Sequence, residues 1–374
     1  MSWSWTIGRI FGIKLRMHWT FLLLLAYVGF AISQQEEGWL PVVEGILLVL
    51  AVFGCVILHE CGHALTARRF GVATEDITLL PIGGVARMQR IPSEPWQEFW
   101  IAIAGPAVNV VIAFVLFIAL AISGHFYGMI DDVGDHRAFF VNLMVINVLL
   151  VVFNLIPAFP MDGGRVLRAL LATRLDYLQA TVIAAKIGQG LAVAFGIAGL
   201  LILHNPLLML VALFVFLGAE GEAQTVRIRT LIGNTKVRDA MMTRFRTLPS
   251  TATFQDAVDE LLAGSQQDFP IMEGERCTGL LRRQELVSGL KQYGLDASVT
   301  TALTPIDESI REDASLQETV EEMRKHQAKA WPVFENGTLV GLLTMENVTE
   351  LLLVRSAELE LDAELKQKDI TQAA

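Results

Sequence analysis

The residues of this chain best suited to chemistry are His59-Glu60-Cys61-Gly62-His63. Two histidines four residues apart share one face of a helix and come close enough to hold a metal ion between them. A glutamate beside the first histidine can act as a base toward water at that ion, which is the logic of a His-Glu-x-x-His zinc hydrolase site. The motif closes an apolar run that begins near Leu40. Chemistry that needs water is therefore set at the end of a segment hydrophobic enough to span a bilayer.

Such a site needs a third protein ligand and one position left for water. The chain has seven histidines: His18, His59, His63, His125, His136, His204 and His326. The charge pattern described below puts His125, His136 and His204 across the membrane from the motif. It leaves His18 ahead of the first span and His326 in a soluble C-terminal region. Among the carboxylates Asp162 stands out, in Asn154-Leu155-Ile156-Pro157-Ala158-Phe159-Pro160-Met161-Asp162-Gly163-Gly164. Two prolines three residues apart cannot continue a regular helix, and the paired glycines permit close backbone approach. The pattern predicts Asp162 on irregular backbone at membrane depth, which is tolerated only when buried in protein or lining a wet cavity. An ionisable residue in such a place is a functional candidate. The plainer alternative is a helix-capping aspartate at the membrane surface ahead of Arg165.

The elements that must position these groups follow from composition. The chain has 374 residues, 53% of them hydrophobic, and a mean hydropathy of +0.48. Up to Thr235 it carries 14 Lys+Arg against 15 Asp+Glu, and from Lys236 onward 15 against 24. Nine of the ten net negative charges thus fall in the last third, so a hydrophobic body is followed by an acidic, water-soluble region. No basic face stands out for nucleic acid. Cys55, Cys61 and Cys277 offer no disulfide framework, and Cys61 points away from the two-histidine face as a small packing residue. Six apolar segments cover residues 19–33, 40–58, 99–123, 139–159, 180–203 and 206–219. Several fall short of the roughly 20 residues that a straight span needs. Arg9, Lys14 and Arg16, then Arg68 and Arg69, then Arg165, Arg168 and Arg174, then Arg227, Arg229, Lys236 and Arg238 flank alternate ends of these segments, while Glu36, Glu37, Asp131, Asp132 and Asp135 lie between. By the positive-inside rule both termini are expected in the cytoplasm. Ala31-Ile32-Ser33 before Gln34 also fits a signal-peptide cleavage site, an alternative that leaves the motif at the cytoplasmic end of its span.

With these motifs the chain resembles the site-2 proteases, intramembrane zinc metalloproteases, in the branch with a C-terminal pair of cystathionine-β-synthase-type (CBS) repeats. His59-Glu60-x-x-His63 running into Ala64-Leu65-x-Ala67-Arg68-Arg69-Phe70-Gly71 resembles the catalytic helix, and Asn154-x-x-Pro157 through Asp162-Gly163 resembles the second motif. The resemblance implies that Asp162 is the third zinc ligand beside His59 and His63, with one Zn2+ per chain and Glu60 as the catalytic base. It implies a transmembrane protein substrate, such as a membrane-bound regulator or an anti-sigma-type protein, whose cytoplasmic fragment is released as a signal. Departures are Cys61, where many relatives have a bulkier apolar residue, and Phe159 between the two prolines.

Two further stretches fit that family. Gly105-Pro106-Ala107-Val108-Asn109 places Gly105 and Asn109 on one helix face, where the helix can approach the catalytic one and offer an amide inward; plain small-residue packing explains it equally well. Thr78-Leu79-Leu80-Pro81-Ile82-Gly83-Gly84-Val85-Ala86 is too apolar for an ordinary cytoplasmic loop and suggests a strand or hairpin that pairs with an unwound substrate, or else an amphipathic surface loop. Asn109, Asn154, Gly83 and Gly84 are the candidate substrate-positioning residues.

The C-terminal region repeats at one offset of 62 residues: Phe254 with Leu316, Pro270 with Pro332, Gly279 with Gly341, Leu281 with Leu343. Each copy reads as helix, strand, turn, strand, helix, with helices at 256–262 and 317–325 and strands at 270–272, 278–281, 332–334 and 339–343. The pattern resembles two CBS repeats, which imply a face-to-face pair, adenine-nucleotide binding in many cases, and a route to homodimers. Thr344 and Asn347 stand where such modules hold a ribose, with Asn in place of the usual Asp, while the first copy has Arg282 and Glu285. A purely structural or dimerising module is the alternative.

The fold expected is an α-helical polytopic membrane protein of six transmembrane helices followed by an α/β CBS-repeat pair. The domains expected are a metalloprotease body over 1–222, a linker over 223–235, CBS repeats over 236–293 and 294–355, and a charged tail over 356–374. The function expected is an intramembrane zinc endopeptidase in a cell membrane, in contact with lipid and not with nucleic acid. A CBS-gated transporter or channel, and a membrane-anchored zinc peptidase acting on water-exposed loops, are the alternatives.

Overall fold

The computed structural model describes residues 3–81, 83–88, 94–123, 136–233, 235–305 and 310–373. The chain divides into two compact units, Met1–Val226 and Arg227–Ala374. The first runs in the order β1 (Ser4–Ile10), β2 (Ile13–His18), α1 (Thr20–Ser33), α2 (Leu40–Arg69), β3 (Thr74–Leu80), β4 (Gly83–Met88), α3 (Pro95–Ile122), α4 (His136–Asn154), α5 (Asp162–Leu171), α6 (Tyr177–Leu201) and α7 (Pro206–Ile232), the division falling within α7.

Among the described residues four helices, α2, α3, α6 and α7, are long and apolar enough to cross a membrane, where the sequence predicts six. The first and fourth apolar segments form shorter helices. α1 has 14 residues, about 21 Å at 1.5 Å per residue, against a hydrocarbon core of about 30 Å. The chain ahead of α1 is spent in strands. α4 is apolar over Phe139–Asn154 and stops there, because Pro157 and Pro160 withhold the N–H donors that another turn would use. α2, by contrast, outruns its apolar stretch: it starts with Pro41 in its first turn and continues for 30 residues to Arg68 and Arg69, cations that suit a helix C-terminus. Asp131, Asp132 and Asp135, used above to orient the spans, lie outside the described residues, as does Ile82.

The four strands form one sheet in the order β1-β2-β3-β4, antiparallel except for the parallel pair β2 and β3. Ile13 and Leu15 of β2 and Ile77 and Leu79 of β3 pack on Cys61 and Ala64 of α2. The sheet therefore rests on the helix that carries the two histidines, and Cys61 is one of the contacts that hold it there. β4 is an outer strand, antiparallel to β3, over the segment expected to be a strand or hairpin.

The second unit contains β5 (Leu248–Pro249), α8 (Phe254–Ala263), β6 (Phe269–Glu273), β7 (Arg276–Leu281), α9 (Arg283–Tyr293), β8 (Thr304–Pro305), β9 (Ile310–Arg311), α10 (Leu316–Lys325), β10 (Ala330–Glu335), β11 (Thr338–Thr344) and α11 (Met345–Ala373). Its sheets have the orders β5-β6-β7-β8 and β11-β10-β9. The repeat reaches beyond side-chain identity. Phe254 and Leu316 each begin a helix after a capping residue, Thr253 or Ser315, whose side chain accepts the N–H of the residue three further on. Pro270 pairs with Leu280 and Pro332 with Leu342, and the ladders slip at equivalent steps, between Ile271 and Met272 and between Val333 and Phe334. Residues 223–232, expected as linker, are the last turns of α7, and the charged tail continues α11.

Candidate metal centre

His59 and His63 lie one turn apart on α2, and Asp162 is the first residue of α5; all three are buried. His59 Nε2 is 3.2 Å and His63 Nε2 is 3.1 Å from Asp162 Oδ2, and the two Nε2 atoms are 3.1 Å apart. Among the described residues this is the one group of three such donors that could hold a metal ion. A tetrahedral ion with bonds of about 2.0–2.1 Å spaces its ligand atoms about 3.3 Å apart, close to the triangle found here.

The protons of the two imidazoles are decided from behind. His63 Nδ1 donates to the backbone oxygen of Ile101 at 2.6 Å, because a carbonyl can only accept. His59 Nδ1 is 2.9 Å from Asn109 Oδ1 and donates to it. In their neutral forms both rings then turn a bare Nε2 lone pair toward the Asp162 carboxylate. Three acceptors that face one another at contact distance repel, and a cation among them removes the repulsion. Gly105 of α3 makes room for this: a Cβ there would stand 2.7 Å from His59 Nε2 and closer still to the His63 ring.

Asp162 differs from expectation in its local setting. The irregular backbone covers residues 155–161, and Asp162 itself opens a helix, where the first-turn N–H groups favour its negative charge. Its other oxygen, Oδ1, is 3.9 Å from Arg165 Nη1. Two buried polar groupings escaped the sequence reading. Asn147 of α4 accepts from Asn109 Nδ2 at 3.2 Å. Arg168 of α5 is clamped between Glu98 of α3 and Glu222 of α7. In the sequence Asn147 shows only as an isolated polar residue in an apolar run, and Arg168 only as one of the basic residues that flank the fourth segment.

The other candidate residues fall as follows. Glu60 follows His59 on α2, and its carboxylate makes no hydrogen bond to another described residue. Gly84 of β4 lies against it, so closely that a Cβ would stand 2.8 Å from Glu60 Cγ. Gly83 begins the same strand at φ +135°. Asn109 is engaged by His59 and Asn147 and not open to a substrate. Asn154 ends α4, half-buried. Thr344 and Asn347 lie in the second unit on a cleft of about 1030 Å³ that Arg282, Arg283, Lys291 and Lys329 also line. Burial pushes the carboxyl of Asp268, in the same cleft, above its ordinary range, while the backbone N–H of Arg283 draws it back.

The model for peptidase family M50 matches residues 47–136 and 121–197, a stretch that includes His59, Glu60, His63 and Asp162. Over 370 residues the chain is 34% identical to a zinc metalloprotease of Methanocaldococcus jannaschii, spanning 98% of this chain and all of that relative. The chain belongs to peptidase family M50. Stage IV sporulation protein FB of Bacillus subtilis is 26% identical over 169 residues, 45% of this chain and 51% of that protein. The solved structure of a site-2 protease from Methanocaldococcus jannaschii shares 43% identity over 59% of this chain and 95% of its own, with a TM-score of 0.44. A CBS-domain model matches residues 303–354, the second copy of the repeat. As an M50 zinc metalloprotease the chain calls for zinc, and two imidazoles with one carboxylate are donors that zinc accepts in catalytic sites.

Proposed function

We propose that this M50 membrane protein is a zinc endopeptidase of the site-2 protease type, which cuts transmembrane segments of other proteins inside the bilayer. The observation that carries the proposal is the convergence at 3.1–3.2 Å of a carboxylate oxygen from α5 and two imidazole nitrogens from α2, a helix apolar enough to span a membrane. His59, His63 and Asp162 hold the zinc. Bound there, zinc polarises a peptide carbonyl and makes water acidic enough to be activated near neutral pH. Glu60 takes the proton of the attacking water and delivers it to the departing amide nitrogen. Its carboxylate makes no hydrogen bond among the described residues, as such a shuttle requires.

A protease reads extended backbone, and the open edge of β4 offers one side of a strand pair. Because Gly84 brings that strand against Glu60, a substrate strand paired there runs beside the base. Asn154, at the frayed end of α4, is placed to donate its amide to the same substrate. In this reading α1 and α4 also lie in the bilayer, six spans in all, with both termini cytoplasmic; the basic residues flanking alternate segments support it. The body over 1–222 then releases a cytoplasmic fragment of a membrane-bound regulator. The repeats over 236–293 and 294–355 sense an adenine nucleotide, with Thr344 and Asn347 toward the ribose and the basic side chains of the cleft toward phosphates, and offer a surface for a homodimer.

The test is metal analysis on the full chain purified in detergent, beside cleavage of a transmembrane reporter. About one zinc per chain is expected from a single three-ligand site. A protein that cleaves with no zinc bound, or holds zinc without cleaving any transmembrane segment, would sink the reading.

A further inference from the structure

Asn147 belongs to no motif, yet its amide is wholly buried in the middle of α4 among apolar residues. Its orientation is dictated by a backbone atom. Asn147 Nδ2 lies 2.8 Å from the carbonyl oxygen of Leu143, one turn earlier, and 3.4 Å from Cys55 Sγ on α2. A peptide carbonyl only accepts, so the amide nitrogen has to face it. Asn147 Oδ1 is thereby turned to Asn109, which must present its NH2 group across 3.2 Å. Asn109 Oδ1 is then left for His59 Nδ1 at 2.9 Å, and that nitrogen must carry the proton. In the neutral ring His59 Nε2 is then a bare lone pair, aimed at Asp162 Oδ2 and His63 Nε2. Each assignment follows from the one before it, and the series begins at a peptide carbonyl of α4.

We infer that Asn147 is a positioning residue of the metal centre: acting through Asn109, it holds His59 in the one tautomer that offers Nε2 to a cation. Packing alone does not explain the residue. Two amides buried in an apolar bundle destabilise it by about 1–3 kcal/mol each wherever a hydrogen bond is missing, and leucine would fill the same place without that risk. Partners that orient a metal-binding histidine through its second nitrogen are worth about 10–100-fold in metal affinity. The inference rests on the zinc reading above, and its test separates the two.

The experiment measures zinc affinity of the full chain in detergent by competition with a chelator, together with the thermal stability of the metal-free chain. The set is wild type, Asn147→Leu, Asn147→Asp, Asn109→Ala and the double variant Asn109→Ala/Asn147→Leu. Leucine keeps the bulk and removes the relay, so zinc affinity is expected to fall about 10-fold or more. Aspartate still accepts from Asn109, so it is expected to keep its zinc while losing thermal stability through a buried carboxylate. Stability and zinc affinity thus part company, which a merely structural role would not produce. The double variant should bind zinc no more weakly than Asn109→Ala alone, because the effect travels through Asn109. Spectra of the metal-free chain with 15N-labelled histidine should show one ring lose its fixed Nδ1–H tautomer in Asn147→Leu. Wild-type zinc affinity in Asn147→Leu, or losses that add in the double variant, would overturn the inference. If the leucine variant does not fold, weak zinc binding by Asn147→Asp overturns it instead. A wild type that binds no zinc removes the metal reading, and this inference with it.

Discussion

Asp162 opens α5 and Arg168 lies near its end, and each joins side chains from other helices of the same unit. At the Asp162 end, with both imidazoles neutral, three acceptors face one another at 3.1–3.2 Å. At the Arg168 end, the guanidinium donates from Nε to Glu98 Oε1 at 2.9 Å and from Nη1 to Glu222 Oε1 at 2.5 Å. It also lies 4.9 Å and 5.0 Å from the ring centroids of Phe159 and Tyr177. Burial is common to both clusters and charge logic is not. A cluster whose charges complement each other ties α3, α5 and α7 together without a metal, although Glu98 Oε2 and the Tyr177 hydroxyl beside it make no hydrogen bond among the described residues. A cluster whose members repel one another is completed only by a ligand. Arg165 stands between them, 3.9 Å from Asp162 Oδ1 and 4.0 Å from Glu98 Oε1.

The largest expected effect falls on the repelling cluster. Asp162→Ala should lose zinc and proteolysis together, with little loss of folding, because the aspartate satisfies no donor that the fold depends on. Glu60→Gln should keep its zinc and lower turnover by about 10²–10⁴-fold, the usual worth of a general base. Metal content and single-turnover cleavage, measured on the same preparations, distinguish the two. Full zinc occupancy in Asp162→Ala would remove that residue from the site and leave the comparison without one of its halves.

The complementary cluster should fail in the opposite way. Arg168→Met strands Glu98 in the interior and should lower stability by about 3–5 kcal/mol, as when one partner of a buried ion pair is removed. Zinc affinity, measured at a temperature where the variant stays folded, should match wild type. Thermal unfolding beside chelator competition reads both. Zinc lost in proportion to stability would mean that the two ends of α5 act as one site and that the distinction drawn above is false.

How much of this is legible in the sequence depends on how far apart the partners lie. His59 and His63 are readable because a spacing of four fixes their common face on any helix. Asp162 is reached through its prolines, its glycines and the family resemblance, while its place at a helix start enters only through the alternative of a helix-capping aspartate. The signal for that start, an acid in the first turn with Arg168 in the last, is present in the sequence. Trp3, Trp5 and Ile7, then Ile13, Leu15 and Met17, alternate with the period of strands, yet nearby arginines and lysine draw attention to the first span instead. The partners of Asn147 and Arg168 are another matter. Asn147 meets Asn109 across 38 residues and Cys55 across 92, and Arg168 meets Glu98 across 70. Those distances are closed by the crossing of helices, which no local spacing encodes. A lone amide in an apolar run announces that a partner exists without saying which.

The second unit puts the same rule to its mildest test. The Thr344 hydroxyl donates to Asn347 Oδ1 at 2.6 Å and accepts from the Asn347 N–H at 3.1 Å, at the start of α11. In the first copy Arg282 and Glu285 hold the equivalent positions, where Glu285 Oε2 accepts the Arg282 N–H at 2.9 Å. Both pairs bond across a helix start, though Arg282 Nε is left without a partner among the described residues, and all four residues except Glu285 line the cleft. By the logic of α5 a satisfied pair is structural, whereas the proposed function also brings Thr344 and Asn347 to a ribose. Thr344→Val with Asn347→Ala separates the two roles. Loss of the cap alone should lower stability by about 1 kcal/mol. Loss of ribose contacts should in addition weaken AMP or ATP about 10-fold, the worth of one or two neutral hydrogen bonds. Calorimetry with the full chain in detergent reads the second effect and thermal unfolding the first, and both are expected. Nucleotide affinity unchanged in the variant would leave the pair as a cap, and a satisfied polar pair would then mark structure in this unit as it does at Arg168.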